Sequence, residues 1–463
     1  MFILIKSNSA LSISLSLLIL RYVVLNRLNG SIPKELGALT TLTKFTSIAN
    51  FLSGTIPSQL STLTNLKEFY MGVSFITGTI PDWIWLDDFD KLHLFYMSDN
   101  LLTGTLFPLS DGITTAAAGA TTTVSSSRLG QITSFSADDN QLEGSLNIIW
   151  KMPNLKIAYL EENDFTGTMP LSIVSTNPKL DELDISENRV RGELPIDWYL
   201  LTDLRIFDVH GNNLSGTIPS SSSTPLSLSS SSPRNSIVMN NIMNPNHNSK
   251  LLFLGLQSCR LTGTIPKSLS NDVPSLLHLD IANNQLTGNI PEELAGFGNN
   301  QLMRLFLGDN NFAPGPIPTF IYTQMTNLFE LSLRNTARTG TVPTSLSQMT
   351  NLILLDLSRN DLEAKFPGEI TSNMLDMQVL ILQHNAFSGP LPSLGRMGKL
   401  RKFLITHYSA RLVSFCQLQC NCLLRLKKRI RMRHFISCTT VTPIFSGTLP
   451  LFLSTNYSKI GNI

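Results

Sequence analysis

One eight-residue pattern, N-x-L-x-G-x-I-P, constrains this chain more than any bulk property. It stands as Asn26-Arg27-Leu28-Asn29-Gly30-Ser31-Ile32-Pro33 and again as Asn50-Phe51-Leu52-Ser53-Gly54-Thr55-Ile56-Pro57. Its central glycine, or the residue replacing it, falls at positions 30, 54, 78, 104, 144, 167, 192, 216, 263, 288, 315, 340, 364, 389 and 447. Eleven of the 14 spacings lie between 23 and 27 residues; the other three are 40, 47 and 58. A fixed period of roughly 20 to 50 residues signals a stacked-repeat architecture. It overrides the estimate of about three globular domains that 463 residues would suggest.

Ahead of each glycine runs L-x-x-L-x-L-x-x-N, as in Leu352, Leu355, Leu357 and Asn360. Alternation across Leu355-Asp356-Leu357 is the period of a short strand with one buried face. Behind the glycine, a segment such as Pro57-Ser58-Gln59-Leu60-Ser61-Thr62-Leu63 returns apolar residues at spacing three. That suits a short helical or 3₁₀ turn opened by proline. A unit this small cannot bury its own apolar face, so neighbours bury each other's and the core runs along the stack. The asparagine has a separate task. Backbone groups that leave the sheet at the bend need partners, and a buried amide supplies both donors and acceptors. Asn50, Asn100, Asn140, Asn163, Asn188, Asn212, Asn284, Asn310, Asn360 and Asn385 form the expected structural ladder, with Asn26 ahead of them. Ser74, Cys259 and Thr336 take the slot in three other units.

These motifs resemble the leucine-rich repeat family, specifically its plant-type subclass with the L-x-G-x-I-P half. The resemblance covers roughly residues 18 to 453, inserted segments apart, and 15 copies in register make it specific. It implies an α/β repeat fold: a right-handed leucine-rich repeat solenoid with a concave parallel sheet and short 3₁₀ or helical convex turns. It also implies recognition of a protein or peptide ligand, often by the extracellular part of a receptor-like or secreted protein at the plasma membrane or beyond it. Departures are local. Ala364 replaces a glycine, Asn147 a proline, and Arg338 sits where a core leucine belongs.

Three segments interrupt the period. Residues 109–131 and 220–249 are polar and low in complexity, and read as disordered loops. A solenoid tolerates them because loop-closure entropy grows slowly with length. Residues 409–443 hold four of the five cysteines (Cys416, Cys420, Cys422, Cys438), seven basic residues and no acid. A zinc site on those cysteines and His434 fits no usual ligand spacing. A disordered loop is the second reading, although the Ser/Asn bias of the other two is missing. The segment reads best as an unspliced intron translated in frame, because it splits a motif that is intact on both sides. Without its basic residues the balance moves from 35 basic against 33 acidic, formally +2, to 28 against 33, formally −5.

Residues 1–17 precede the repeat domain of residues 18–463. Lys6 and the stretch Ala10–Leu20 fit a secretion signal loosely, but no small-residue cleavage site follows. An incomplete gene model fits equally well, and without a signal the chain stays cytoplasmic. Serines break the run up to Arg21, which argues against a membrane span there, so membrane attachment would need a missing segment. Neither a kinase Gly-rich loop nor H-R-D or D-F-G occurs. Sequons at Asn29, Asn213 and Asn456 are about as many as chance places in an Asn- and Ser-rich chain.

With 42% hydrophobic and only 15% charged residues, the chain is too apolar for a disordered protein. It is also too weakly charged for a typical nucleic-acid binder. Seven His and five Cys are scattered with no nucleophile–base pairing, so neither catalysis nor a cofactor or metal is expected. Function is expected on the residues flanking the strand leucines. The slot between the leucines carries Tyr70, Tyr96, Tyr159, Asp184 and Asp208. Two positions on, acids accumulate: Asp99, Asp138, Asp139, Glu161, Glu162 and Glu187. Strands about 4.8 Å apart would make these residues neighbours. Such a face would take a basic peptide or protein surface, tyrosine giving rigid contact area and carboxylates giving charge pairing. The plainer alternative is a solvated face. A reading of another class starts from the Thr or Ser on both sides of many glycines, as at Ser53/Thr55, Thr77/Thr79 and Thr103/Thr105. Stacked hydroxyl–methyl ladders would suit an ice-binding or other surface-adsorbing solenoid. The β-propensity of a second strand explains the same residues, and the ladder is broken in six units.

Overall fold

The computed structural model describes residues 26–85, 89–106, 116–117, 120–121, 129–221, 249–298 and 301–405. Residues 1–17, residues 409–443 and most of 109–131 and 220–249 lie outside the described residues. Fourteen three-residue strands make one parallel sheet, one strand per unit from the second unit on. They are β1 (Lys44–Thr46), β2 (Glu68–Tyr70), β3 (Leu94–Tyr96), β4 (Ser134–Ser136), β5 (Ile157–Tyr159), β6 (Glu182–Asp184) and β7 (Ile206–Asp208). β8 (Phe253–Gly255), β9 (His278–Asp280), β10 (Arg304–Phe306), β11 (Glu330–Ser332), β12 (Leu354–Asp356), β13 (Val379–Ile381) and β14 (Lys402–Leu404) follow. Parallel neighbours joined by crossovers wind right-handed.

The two-residue period of a strand sorts the side chains. The middle strand residues Phe69, Phe95, Phe135, Leu183 and Phe207 are buried, as are Met71, Met97, Ala137, Ile185 and Val209 two positions on. Residues between them, such as Tyr70, Tyr96 and Asp184, therefore stand on the opposite face. Inside, Phe45, Phe69, Phe95 and Phe135 stack with ring centroids 5.3, 5.6 and 5.3 Å apart. The stack closes over both polar inserts. Tyr96 of β3 pairs with Ser136 of β4, and Asp208 of β7 with Gly255 of β8, in the register used everywhere else.

The bend after each strand has a constant construction. The residue before the asparagine slot is left-handed, with φ between 49° and 57° at Ala49, Val73, Asp99, Asp139, Glu162, Glu187, Arg359 and His384. The asparagine then holds the turn. Asn188 Nδ2 donates to the carbonyls of Leu160 (2.8 Å), Ile185 (3.2 Å) and Ser186 (3.0 Å), and Oδ1 accepts from Phe165 N (2.9 Å). Asn100 repeats this with Met71, Met97, Ser98 and Ile76. Beyond the bend, second strands build shorter parallel sheets of six, three, two and three strands. Prolines such as Pro57 then open 3₁₀ turns such as Ser58–Thr62. At the irregular unit, Arg338 is buried yet satisfied by carbonyls. Nε donates to Thr336 O (2.8 Å), Nη1 to Pro316 O (3.3 Å) and Nη2 to Ala313 O.

Candidate functional site

The structure gathers all eleven expected contact residues on one side of β2–β7, in three columns. The first holds the strand-end residues Tyr70, Tyr96, Tyr159, Asp184 and Asp208. Two residues on, Asp138 and Glu161 share a second column with Ser98, Ser186 and His210. Asp99, Asp139, Glu162 and Glu187 occupy the third, the left-handed position. The sequence pattern had merged the second and third. The two columns differ physically: the third is exposed, whereas the second is half-buried or buried. Tyr70 and Tyr96 meet with ring centroids 6.1 Å apart, and Lys44 Nζ sits 5.2 Å over the Tyr70 ring.

Burial makes this a strained set of charges. Asp138 Oδ1 accepts from the hydroxyls of Ser98 and Ser136 (2.7 Å to the latter), yet burial lifts its pKa to about 6. Asp184 accepts from Ser186 Oγ (2.6 Å) and N (3.0 Å). Burial, then the charge of Asp208, still lifts it to about 8. Glu161 is held well above the usual carboxylate range by burial and by Asp184 and Asp138. Glu162 is raised by its hydrogen bond with Asp139 and then by burial, and Asp99 by burial and then Asp139. The compensating group is one that the sequence pattern missed. His210 Nδ1 lies 2.7 Å from Asp208 Oδ1, and Nε2 lies 3.5 Å from Glu187 Oε1. Burial works against its protonation, but Asp208, Asp184 and Glu187 carry its pKa to about 9. Among the described residues, no lysine or arginine forms an ion pair with Asp99, Asp138, Asp139, Glu161, Glu162 or Asp184. Carboxylate oxygens of Asp99, Asp138 and Asp139 lie within 4.8 Å of one another, a donor set of the kind hard divalent cations use. The cluster alone assigns none.

The threonine flank has its own explanation. Hydroxyls of Thr166, Ser215, Thr262 and Thr287 donate to the glycine carbonyl of the preceding unit, at 2.9 to 3.3 Å. The threonine after one glycine lies against the next glycine, as Thr55 does against Gly78. These residues knit the second strands of neighbouring units together.

Two stretches, residues 203–224 and 275–297, match the family model described as Leucine Rich Repeat. With the stacked parallel strands, these matches make the fold a leucine-rich repeat solenoid. Receptor-like protein 35 of Arabidopsis thaliana is 31% identical over 219 residues, covering 47% of this chain and 21% of that protein. Receptor-like protein 32 of the same plant is 28% identical over 270 residues, covering 57% and 24%. The chain thus spans about a quarter of the length of these relatives. Among solved structures, the Arabidopsis receptor kinase HAESA ectodomain in complex with an IDA peptide hormone ligand aligns with a TM-score of 0.65 at 25% identity, over 82% of this chain and 56% of that one. The plant peptide hormone receptor RGFR1 in complex with RGF2 aligns with a TM-score of 0.63 at 25% identity, over 82% and 53%. No helix of this leucine-rich repeat chain, among the described residues, is long and apolar enough to cross a membrane.

Proposed function

We propose that the chain is a non-catalytic ligand-recognition module, the extracellular part of a receptor-like or secreted leucine-rich repeat protein, and that its long sheet binds a basic peptide or protein segment. The observation that carries this is the run Asp99, Asp138, Asp139, Glu161, Glu162 and Asp184 along the outward side of β3–β6, with which no lysine or arginine among the described residues forms an ion pair. Carboxylates held in place without basic partners have already lost part of their solvation, so a cationic ligand gains more from pairing than it would at an ordinary exposed acid. Kinship with receptor-like proteins, and likeness to ectodomains solved with peptide hormones, support the same reading.

The test reverses the exposed acids. Asp139→Lys with Glu162→Lys should weaken binding of a fluorescein-labelled nona-arginine peptide at least tenfold, measured by anisotropy. Added salt should weaken the unaltered protein similarly. Equal affinity of a correctly folded double variant would sink the proposal.

A further inference from the structure

Beyond β7 the same outward face continues onto β8–β10, and its chemistry changes. Phe253 and His278, the first residues of β8 and β9, have ring centroids 4.3 Å apart. Phe306, at the end of β10, lies 5.5 Å from the His278 ring. At the adjoining rim, Leu277, Met303 and Phe329 line a cleft of about 360 Å³ with Gln301, Asn327 and Asn351. Met303 and Phe329 are exposed there. Corresponding positions beside β4–β7 carry Thr133, Lys156, Asp181 and Arg205, so the apolar rim is confined to one stretch of the stack.

From β5 to β9, among the described residues, two side-chain atoms on this face are buried without a hydrogen-bond partner: Oε2 of Glu161 and Nδ1 of His278. Both belong to outward columns rather than to the core. Buried polar atoms are almost always satisfied, so each of these marks a point where a bound molecule would supply the missing bond. Their surroundings state which group each would take. Glu161 sits between Asp138 and Asp184 and calls for a cationic N–H donor. His278 is kept neutral by burial and by Arg304, and its ring is packed between phenyl rings. It calls for an apolar ring with a polar edge. The separation follows from the sheet. His278 is in register with Ile157 of β5, so Glu161 lies four strand spacings of about 4.8 Å across the sheet and four residues of about 3.3 Å further along it, about 23 Å in all. An extended peptide covers that in about seven residues at roughly 3.3 Å each.

We infer that the ligand is a linear peptide carrying an arginine or lysine seated at Glu161 and, about seven residues away, a tyrosine or tryptophan seated on Phe253, His278 and Phe306. This rests on reading the acid columns as a peptide site, and the experiment separates the two. Labelled peptides with one Arg and one Tyr, spaced two, seven or twelve positions apart by Gly and Ser, are titrated onto the full chain beside an Arg-only peptide and the nona-arginine peptide. The seven-residue spacing should bind at least tenfold tighter than the others and than the Arg-only peptide. Replacing its Tyr by Phe should weaken binding severalfold. His278→Phe should remove that difference between the Tyr and Phe peptides, with circular dichroism confirming the fold. Equal affinity at all spacings, or no gain over the Arg-only peptide, overturns this inference and leaves the basic-ligand reading standing. Failure of every arginine peptide, nona-arginine included, overturns both.

Discussion

The glycine that defines the period is there for two reasons that a single residue can test. At Gly78, φ is +82°, and a Cβ would lie 2.8 Å from Cγ2 of Thr55 in the preceding unit. The position thus demands both a left-handed backbone and no side chain. Gly78→Ala should lower stability by about 1–2 kcal/mol, read from thermal or denaturant unfolding. The reverse experiment exists in the chain itself. Ala364 takes the glycine slot and keeps φ +61°, so it bears the strain. Ala364→Gly should gain on the order of 0.5–1 kcal/mol, and a loss would show that the alanine methyl contributes packing that outweighs the backbone cost. At this scale the sequence was highly legible, because glycine, asparagine and strand leucine each answer a constraint inside one unit. Arg338 was less so. Its position flagged an irregular unit, but only coordinates reveal carbonyls of Ala313, Pro316 and Thr336 converging on the guanidinium.

At the scale of the element, each bend depends on the next asparagine along. Asn188 satisfies three carbonyls and one N–H that are buried and have left the sheet ladder. Asn188→Ala should cost about 3 kcal/mol, since several buried backbone groups lose their partner together. The loss should appear as local hydrogen-exchange deprotection of the two adjoining units before any global unfolding, as expected of a stack with nearest-neighbour coupling. Uniform loss of protection along the chain would contradict that. Strand and turn positions could be read from periodicity. The column structure of the candidate site could not be read fully. A left-handed residue after each strand shifts one acid out of the two-residue alternation. Asp138 and Asp139, adjacent in sequence, therefore belong to different columns with different burial. His210 escaped notice for the same reason: a lone histidine among acids says nothing until the register sets it beside Asp208 and Glu187.

For the whole stack, lining up short strands concentrates like charge, and that should show in the pH dependence of stability. Asp138, Asp184 and Asp280 have folded pKa values raised, chiefly by burial, from 3.8 to about 6, 8 and 7. A carboxyl with a raised folded pKa binds more protons folded than unfolded between its two values, so stability falls as pH rises through that window. His210 acts in the same direction. Its folded pKa rises from 6.5 to about 9, and the stability it contributes below pH 6.5 is lost as pH rises through 9. His278 opposes them. Its folded pKa falls from 6.5 to about 3, so its contribution is present above 6.5 and fades as pH drops below that value. The first four groups act together between about pH 4 and 9, while His278 acts only below about 6.5. Between pH 4 and 6.5 three raised carboxyls outweigh the one lowered histidine, so the free protein should lose stability from about pH 4 upward and be less stable at pH 8 than at pH 5. Thermal unfolding across that range checks this directly, and Asp184→Asn should flatten the fall by removing one of the largest contributors. A cationic ligand should bind more tightly as pH rises from 5 to 8, because the same acids ionise and need it more. If unliganded stability climbed steadily from pH 5 to 8, the outward acids would be ordinary solvated carboxylates, and the stack would not be storing the charge that the ligand is proposed to relieve.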